Sequence, residues 1–118
     1  MDERRTKRVS EALREEIAEI VGFELEDPRL RSVDVTDVSV SPDGRHARVR
    51  VVLRGAPFEQ KGALAALEHA RVYVRSEVAR RLSLRRIPEL HFEEDRFGDV
   101  ESRIDVLLRR AQKTRGRE

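Results

Sequence analysis

Apolar side chains recur along this chain with two different periods, and each change of period marks an element. Val9, Leu13, Ile17, Ile20 and Val21 fall three or four residues apart, which predicts an amphipathic first helix. Thr6 is positioned to cap it, and Asp27-Pro28 disfavours helical backbone ahead of the proline, so the helix is expected to end near Phe23–Glu26. Four valines then follow in two parities: Val33 and Val35 share one face of a strand, Val38 and Val40 the other. A bulge near Thr36-Asp37 would return all four to one face. Ser41-Pro42-Asp43-Gly44 has proline where a turn wants its dihedral fixed and glycine where a left-handed residue fits, which predicts a hairpin. The second strand, His46 to Leu53, alternates cleanly, with Ala47, Val49, Val51 and Leu53 inward and Arg48 and Arg50 outward.

Gly55 to Gly62 reads as a connection containing Pro57. Leu64, Leu67 and Ala70, then Val74, Val78 and Leu82, restore the helical period, while Val72 and Tyr73 put a β-branched and an aromatic group in a row. The expectation is two short helices with a bend or joint near Arg71. After Pro88, Leu90 and Phe92 alternate with Glu89, His91 and Glu93, a third half-buried strand. Val100, Ile104, Leu107 and Leu108 predict a last helix, and residues 112–118 a basic tail with little to bury.

The order helix, strand, strand, helix, helix, strand, helix describes an α+β sandwich of two layers, a three-stranded sheet with its helices on one face. Leu67, Val78, Leu82, Val49, Val51, Leu90 and Phe92 are its expected shared core. A chain of 118 residues is long enough for one such domain and too short for two, so the domain is placed at 1–111.

Charge changes the picture more than length does. Charged residues make up 41% of the chain although the net charge is only +2, so opposite fields coexist if they are segregated. From Arg71 to Arg86 six arginines face one acid, Glu77, a segment charge of +5; from 87 to 105 seven acids face two arginines, a charge of −5. Of the 25 basic residues only Lys7, Lys61 and Lys113 are lysine, and arginine presents a planar fork that suits phosphate oxygens and stacks on bases. Arg71, Arg75, Arg80, Arg81, Arg85 and Arg86, with Arg48 and Arg50 on the second strand, are therefore the expected RNA-binding set. A protein-interaction module that docks through the segregated acidic and basic surfaces is the competing reading.

Other chemistry is poorly represented. The chain lacks cysteine, which leaves neither a disulfide framework nor a thiolate metal site and fits a reducing cytoplasm. His46, His69 and His91 lack the close-spaced partners of a metal ligand or a general base. Ser41-Pro42-Asp43-Gly44 lacks the lysine and glycine spacing of a phosphate-binding loop. No apolar run is long enough for a membrane span. No cofactor, no small-molecule substrate and no enzymatic activity are expected.

The blocks EDPRLRSVDVTDVSVSPDGRHARVRVVL and LRRIPELHFEED, with the helical leader before them, resemble the bacterial ribosome-binding factor A family over roughly Arg5 to Leu108. The resemblance implies a KH-like (type II) fold, in which a kinked Ala-x-Gly joint between the central helices replaces the usual GxxG turn. Ala70, Arg71 and Val72 stand at that joint, with valine where the family has glycine. It also implies a non-catalytic, cytoplasmic, monomeric assembly factor. Such a factor binds the free small (30S) ribosomal subunit and promotes late maturation and 5′-end processing of 16S rRNA.

Overall fold

The computed structural model describes residues 2–95, together with Leu108 and Ala111. The predicted last helix, apart from those two residues, and the basic tail lie outside the described residues.

Helix α1 spans Glu3–Glu19 and is capped by Asp2, whose carboxylate accepts the Arg5 backbone N–H at 2.9 Å. Thr6, the expected cap, sits inside the helix and donates its hydroxyl to the Asp2 carbonyl at 2.9 Å. An aspartate does the capping better because its charge also meets the positive end of the helix dipole. α1 buries Leu13 and Ile17, and a π-helical turn over Ile20–Glu24 adds Ile20 and Val21 to the same stripe. Asp27 then opens a 3-10 turn, Pro28–Leu30, by accepting the Arg29 backbone N–H at 3.0 Å.

Strands β1, Asp34–Val40, and β2, His46–Val52, pair antiparallel, with the register shifting between Val35 and Asp37. Thr36 is the extra residue, and its hydroxyl donates to the Arg50 carbonyl at 3.2 Å. Because of this bulge Val33, Val35, Val38 and Val40 are all buried, none more than 5% exposed. The hairpin closes as the sequence predicts. The Gly44 N–H donates to the Ser41 carbonyl at 2.9 Å, Gly44 takes a φ of 73°, and Asp43 accepts both the Ser41 hydroxyl at 2.6 Å and the Arg45 backbone N–H at 3.0 Å.

Two expectations about the central helices are corrected. Helix α2 runs Pro57–Arg81, so the segment expected as a connection from 55 to 62 already contains its first turns. Pro57 occupies the start of the helix, where its missing N–H costs nothing, and Glu59 reaches back to accept the Ala56 N–H at 3.2 Å. The helix also passes through Ala70-Arg71-Val72 as one element of 25 residues rather than as two short helices. Ala63, Ala66, Leu67, Val74 and Val78 are buried and Ala70 packs against the core, so one stripe crosses the supposed joint. Val72 and Tyr73 point to solvent, where a β-branched or aromatic group costs only ~0.5 kcal/mol of helix propensity.

Strand β3, Glu89–Glu94, lies parallel to β2, and the sheet order is β1-β2-β3. Val49 stands opposite Phe92 and Ala47 opposite Leu90. A parallel neighbour demands a crossover, which α2 supplies while covering the sheet. The core joins Leu13, Ile17 and Ile20 to Val49, Val51 and Leu90, and to Leu67, Val74 and Val78. Of the predicted core, Leu82 and Phe92 are only partly buried. The side chains of His46, Arg48, Arg50 and His91 are exposed on the other face of the sheet.

Candidate nucleic-acid interface

The fold sorts the arginines of the expected RNA-binding set into three groups. The first is taken up by the protein itself. Arg75 donates from Nε to the Pro88 carbonyl at 3.2 Å and from Nη2 to the Ile87 carbonyl at 2.8 Å, tying the entry of β3 to α2. Arg81, on the last turn of α2, grips Glu24 with both terminal nitrogens, one of them at 2.6 Å, and lies 3.5 Å from Glu16 and 3.4 Å from Glu77. It thus fastens the turn after α1 to the end of α2. Hydrogen bonding to Glu24 raises the already high Arg81 pKa, and the same bond holds the Glu24 carboxyl below its ordinary value. Asp27 is depressed in the same way by the Arg29 side chain and backbone N–H.

The second group lies at the surface but is partnered, with Arg71 half-buried and its Nε shut off from solvent. Arg80 meets Glu77 at 3.0 Å, and Arg71 reaches Glu68 at 3.6 Å and Glu89 at 3.8 Å. On the open face of the sheet Arg48 pairs with Glu93 at 2.8 Å and Arg50 stands 3.9 Å from the same carboxylate. Charges that look segregated along the sequence are therefore interleaved in space. β3 runs beside β2 and hands its glutamates to the arginines of its neighbours. Beside them the His46 and His91 rings approach to 3.0 Å between Nδ1 and Nε2. Among the described residues no three histidines or carboxylates converge as a metal site.

The third group is Arg85 and Arg86, exposed in the loop between α2 and β3, with no ion partner among the described residues. They line a cleft of ≈ 340 Å³ with Arg5 from the first turns of α1, and Val9, Val40, Leu84 and Pro88 supply its apolar surface. Gly44 and Asp43 of the hairpin close its other side. Hydrogen bonding from the Ser41 hydroxyl, then from the Arg45 N–H, keeps the Asp43 carboxyl below its ordinary pKa. Arg4 and Lys7 border a second, shallower groove on another side of α1, with Asp37, Ser39 and Pro42. One end of the molecule thus carries cations that meet no acid or carbonyl partner among the described residues. The reading of the sequence as a charged leader missed Arg5. Its signal was Arg5 and Val9, one helical turn apart, at the head of an apolar stripe.

Residues 5–108 match the sequence profile of Ribosome-binding factor A, most of the chain. The chain belongs to the ribosome-binding factor A family. It is 60% identical to the Ribosome-binding factor A of Solibacter usitatus over 118 residues, which is all of this chain and 96% of that protein. It is 46% identical to that of Thermomicrobium roseum, over 97% of this chain and 88% of the relative. The crystal structure of ribosome-binding factor A from Thermus thermophilus superposes with a TM-score of 0.68 at 34% identity, covering 75% of this chain and 94% of that one. A homology model of Thermus thermophilus ribosome-binding factor A (RbfA), fitted into the electron-microscopy map of a 30S–RbfA complex, gives 0.59 at 35% identity, over 80% and 96% of the two chains. The three-stranded mixed sheet with its helices on one face is accordingly the KH-like fold of this family. Within it the chain keeps an unbroken α2, with Val72 in the joint where the family resemblance led us to expect glycine.

Proposed function

We propose that this protein is an assembly factor for the small ribosomal subunit. It binds the free 30S particle, promotes late maturation of 16S rRNA including its 5′ end, and does so by holding RNA rather than by breaking or forming a bond. It works as a monomer in the cytoplasm. The observation that carries this reading is the basic end of the molecule, Arg5 with Arg85 and Arg86, which have no acid partner among the described residues, in a fold whose other described arginines largely meet acids or carbonyls. Cations left in water without partners are available to release counterions from a phosphate backbone. A relative built into a 30S complex supplies the partner. Arg48, Arg50, Arg71 and Arg80 are proposed as secondary contacts, since their exposed ion pairs are weak enough to exchange for phosphates.

The interleaved charges weaken the competing reading for the described part of the acidic segment, because Glu89 and Glu93 already meet Arg71 and Arg48. Co-sedimentation of the purified protein with 30S particles tests the proposal. Wild type is expected to pellet with free 30S and not with 70S particles, and Arg85→Glu/Arg86→Glu to pellet far less. Cells with only the double variant should accumulate 16S precursor with an unprocessed 5′ end. Unchanged pelleting at two salt concentrations, or normal 5′ ends, would remove the basis of the proposal.

A further inference from the structure

The cleft at the basic end is more specific than a charged surface needs to be. Three arginines from two separate segments line a hollow about half of whose surface is apolar: Val9 from α1 and Leu84 beside the arginine pair are part-exposed, while Val40 and Pro88 line it almost wholly buried. A site that reads only the backbone of an RNA helix has no use for such a floor, since a duplex presents phosphates and keeps its bases inside. A single-stranded nucleotide needs both parts. The volume of ≈ 340 Å³ lies at the small end of ligand pockets, roughly 300–1,000 Å³, which is room for one nucleotide and not for a helix.

We infer that this cleft takes one unstacked nucleotide of single-stranded RNA, its phosphate among Arg5, Arg85 and Arg86 and its base on Val9 and Leu84. The inference rests on the assembly-factor reading and names the kind of RNA that reading leaves open. Arginine suits both halves of the task, because its planar fork pairs with phosphate oxygens and its flat face stacks on a base. Asp43, the acid on the hairpin side, gives the cleft a polarity. Its carboxylate is held ionised by the Ser41 hydroxyl, so phosphate is repelled toward the arginines.

Fluorescence anisotropy with a short labelled RNA, free and annealed to its complement, tests this on the intact protein. The wild type is expected to bind the single strand at least about tenfold more tightly than the duplex. Val9→Lys is the decisive variant, because it adds a positive charge while removing part of the floor. Purely electrostatic binding would strengthen. The cleft instead requires single-strand affinity to fall by about tenfold with duplex affinity unchanged or higher. Leu84→Lys, in a loop, makes the same test should the helix not tolerate lysine at position 9. Adenosine monophosphate at millimolar concentration should compete only weakly. Equal affinity for single strand and duplex, tighter binding by both lysine variants, or micromolar displacement by the free mononucleotide would overturn the inference. If the wild type still pellets with 30S particles in any of those cases, the cleft alone is lost. If it does not pellet, the assembly reading falls too.

Discussion

Two pairs of arginines a few residues apart have opposite fates. Arg75 and Arg81, on α2, are consumed by the fold, one by the carbonyls of Ile87 and Pro88 and the other by Glu24, Glu16 and Glu77. Arg85 and Arg86, just past the helix end, meet no acid among the described residues and face a cleft. All four add equally to the local charge of the sequence. What separates them is the supply of acceptors: a guanidinium beside a strand entry or a helix end flanked by acids finds carbonyls or carboxylates, and one in an outlying loop finds water. A basic segment is thus partly a fastening and partly a binding surface, and the count of charges cannot apportion the two.

That contrast is open to test, beginning with the largest expected loss of stability. Arg75→Ala leaves two partly buried carbonyls without their donor, so chemical denaturation should show a loss of about 1–3 kcal/mol. A stability equal to wild type would place Arg75 with the free arginines. Arg81→Glu sets a carboxylate among Glu16, Glu24 and Glu77, and its melting temperature should fall, more at low salt than at high. A salt-independent loss would point to packing rather than charge.

Acid should act on the same fastening. Glu24, Asp27 and Asp43 are held below their ordinary pKa values, by Arg81, by Arg29 and by Ser41 respectively. Each therefore contributes stability that is present above its unfolded pKa, about 4, and is lost as pH falls through the lower folded value. The melting temperature should be flat near neutrality and decline below about pH 4, and Glu24→Gln should make that decline shallower. The smallest structural effect belongs to Arg85→Glu/Arg86→Glu, which should leave stability within about 0.5 kcal/mol while lowering the salt slope of RNA binding by about two. Loss of stability there would mean that the loop arginines, too, are fastenings.

Much of the fold was legible in short-range patterns. The parity change of four valines located the bulge at Thr36, and Ser41-Pro42-Asp43-Gly44 specified the hairpin, because each depends on residues only a few positions apart. The order of strands and the parallel pairing of β3 with β2 were not legible, since both depend on where a crossover helix lands. Reading a joint at Arg71 gave too much weight to Val72 and Tyr73. The stripe at Ala66, Ala70, Val74 and Val78 continues at four-residue spacing past them, and the outward-facing pair does not end the helix. For the candidate site, the sequence located Arg85 and Arg86, but Arg5 joins them from 80 residues away by chain packing alone.

The mixed sheet also sets an order of events as the chain folds. β1 and β2 are joined by a turn of five residues, 41–45, so they meet by closing a very small loop. β3 reaches β2 only after residues 53–88 have been laid across the sheet, and the entropy of that closure must be met before its contacts return anything. A nascent chain emerges N-terminus first, with α1 and the hairpin in hand and the β3 side of β2 still an open edge. Docking of α2 and β3 is then the step with the longer loop to close. Arg75 spans the two, so the residue that ties the strand entry to the helix also helps decide how long that edge stays open.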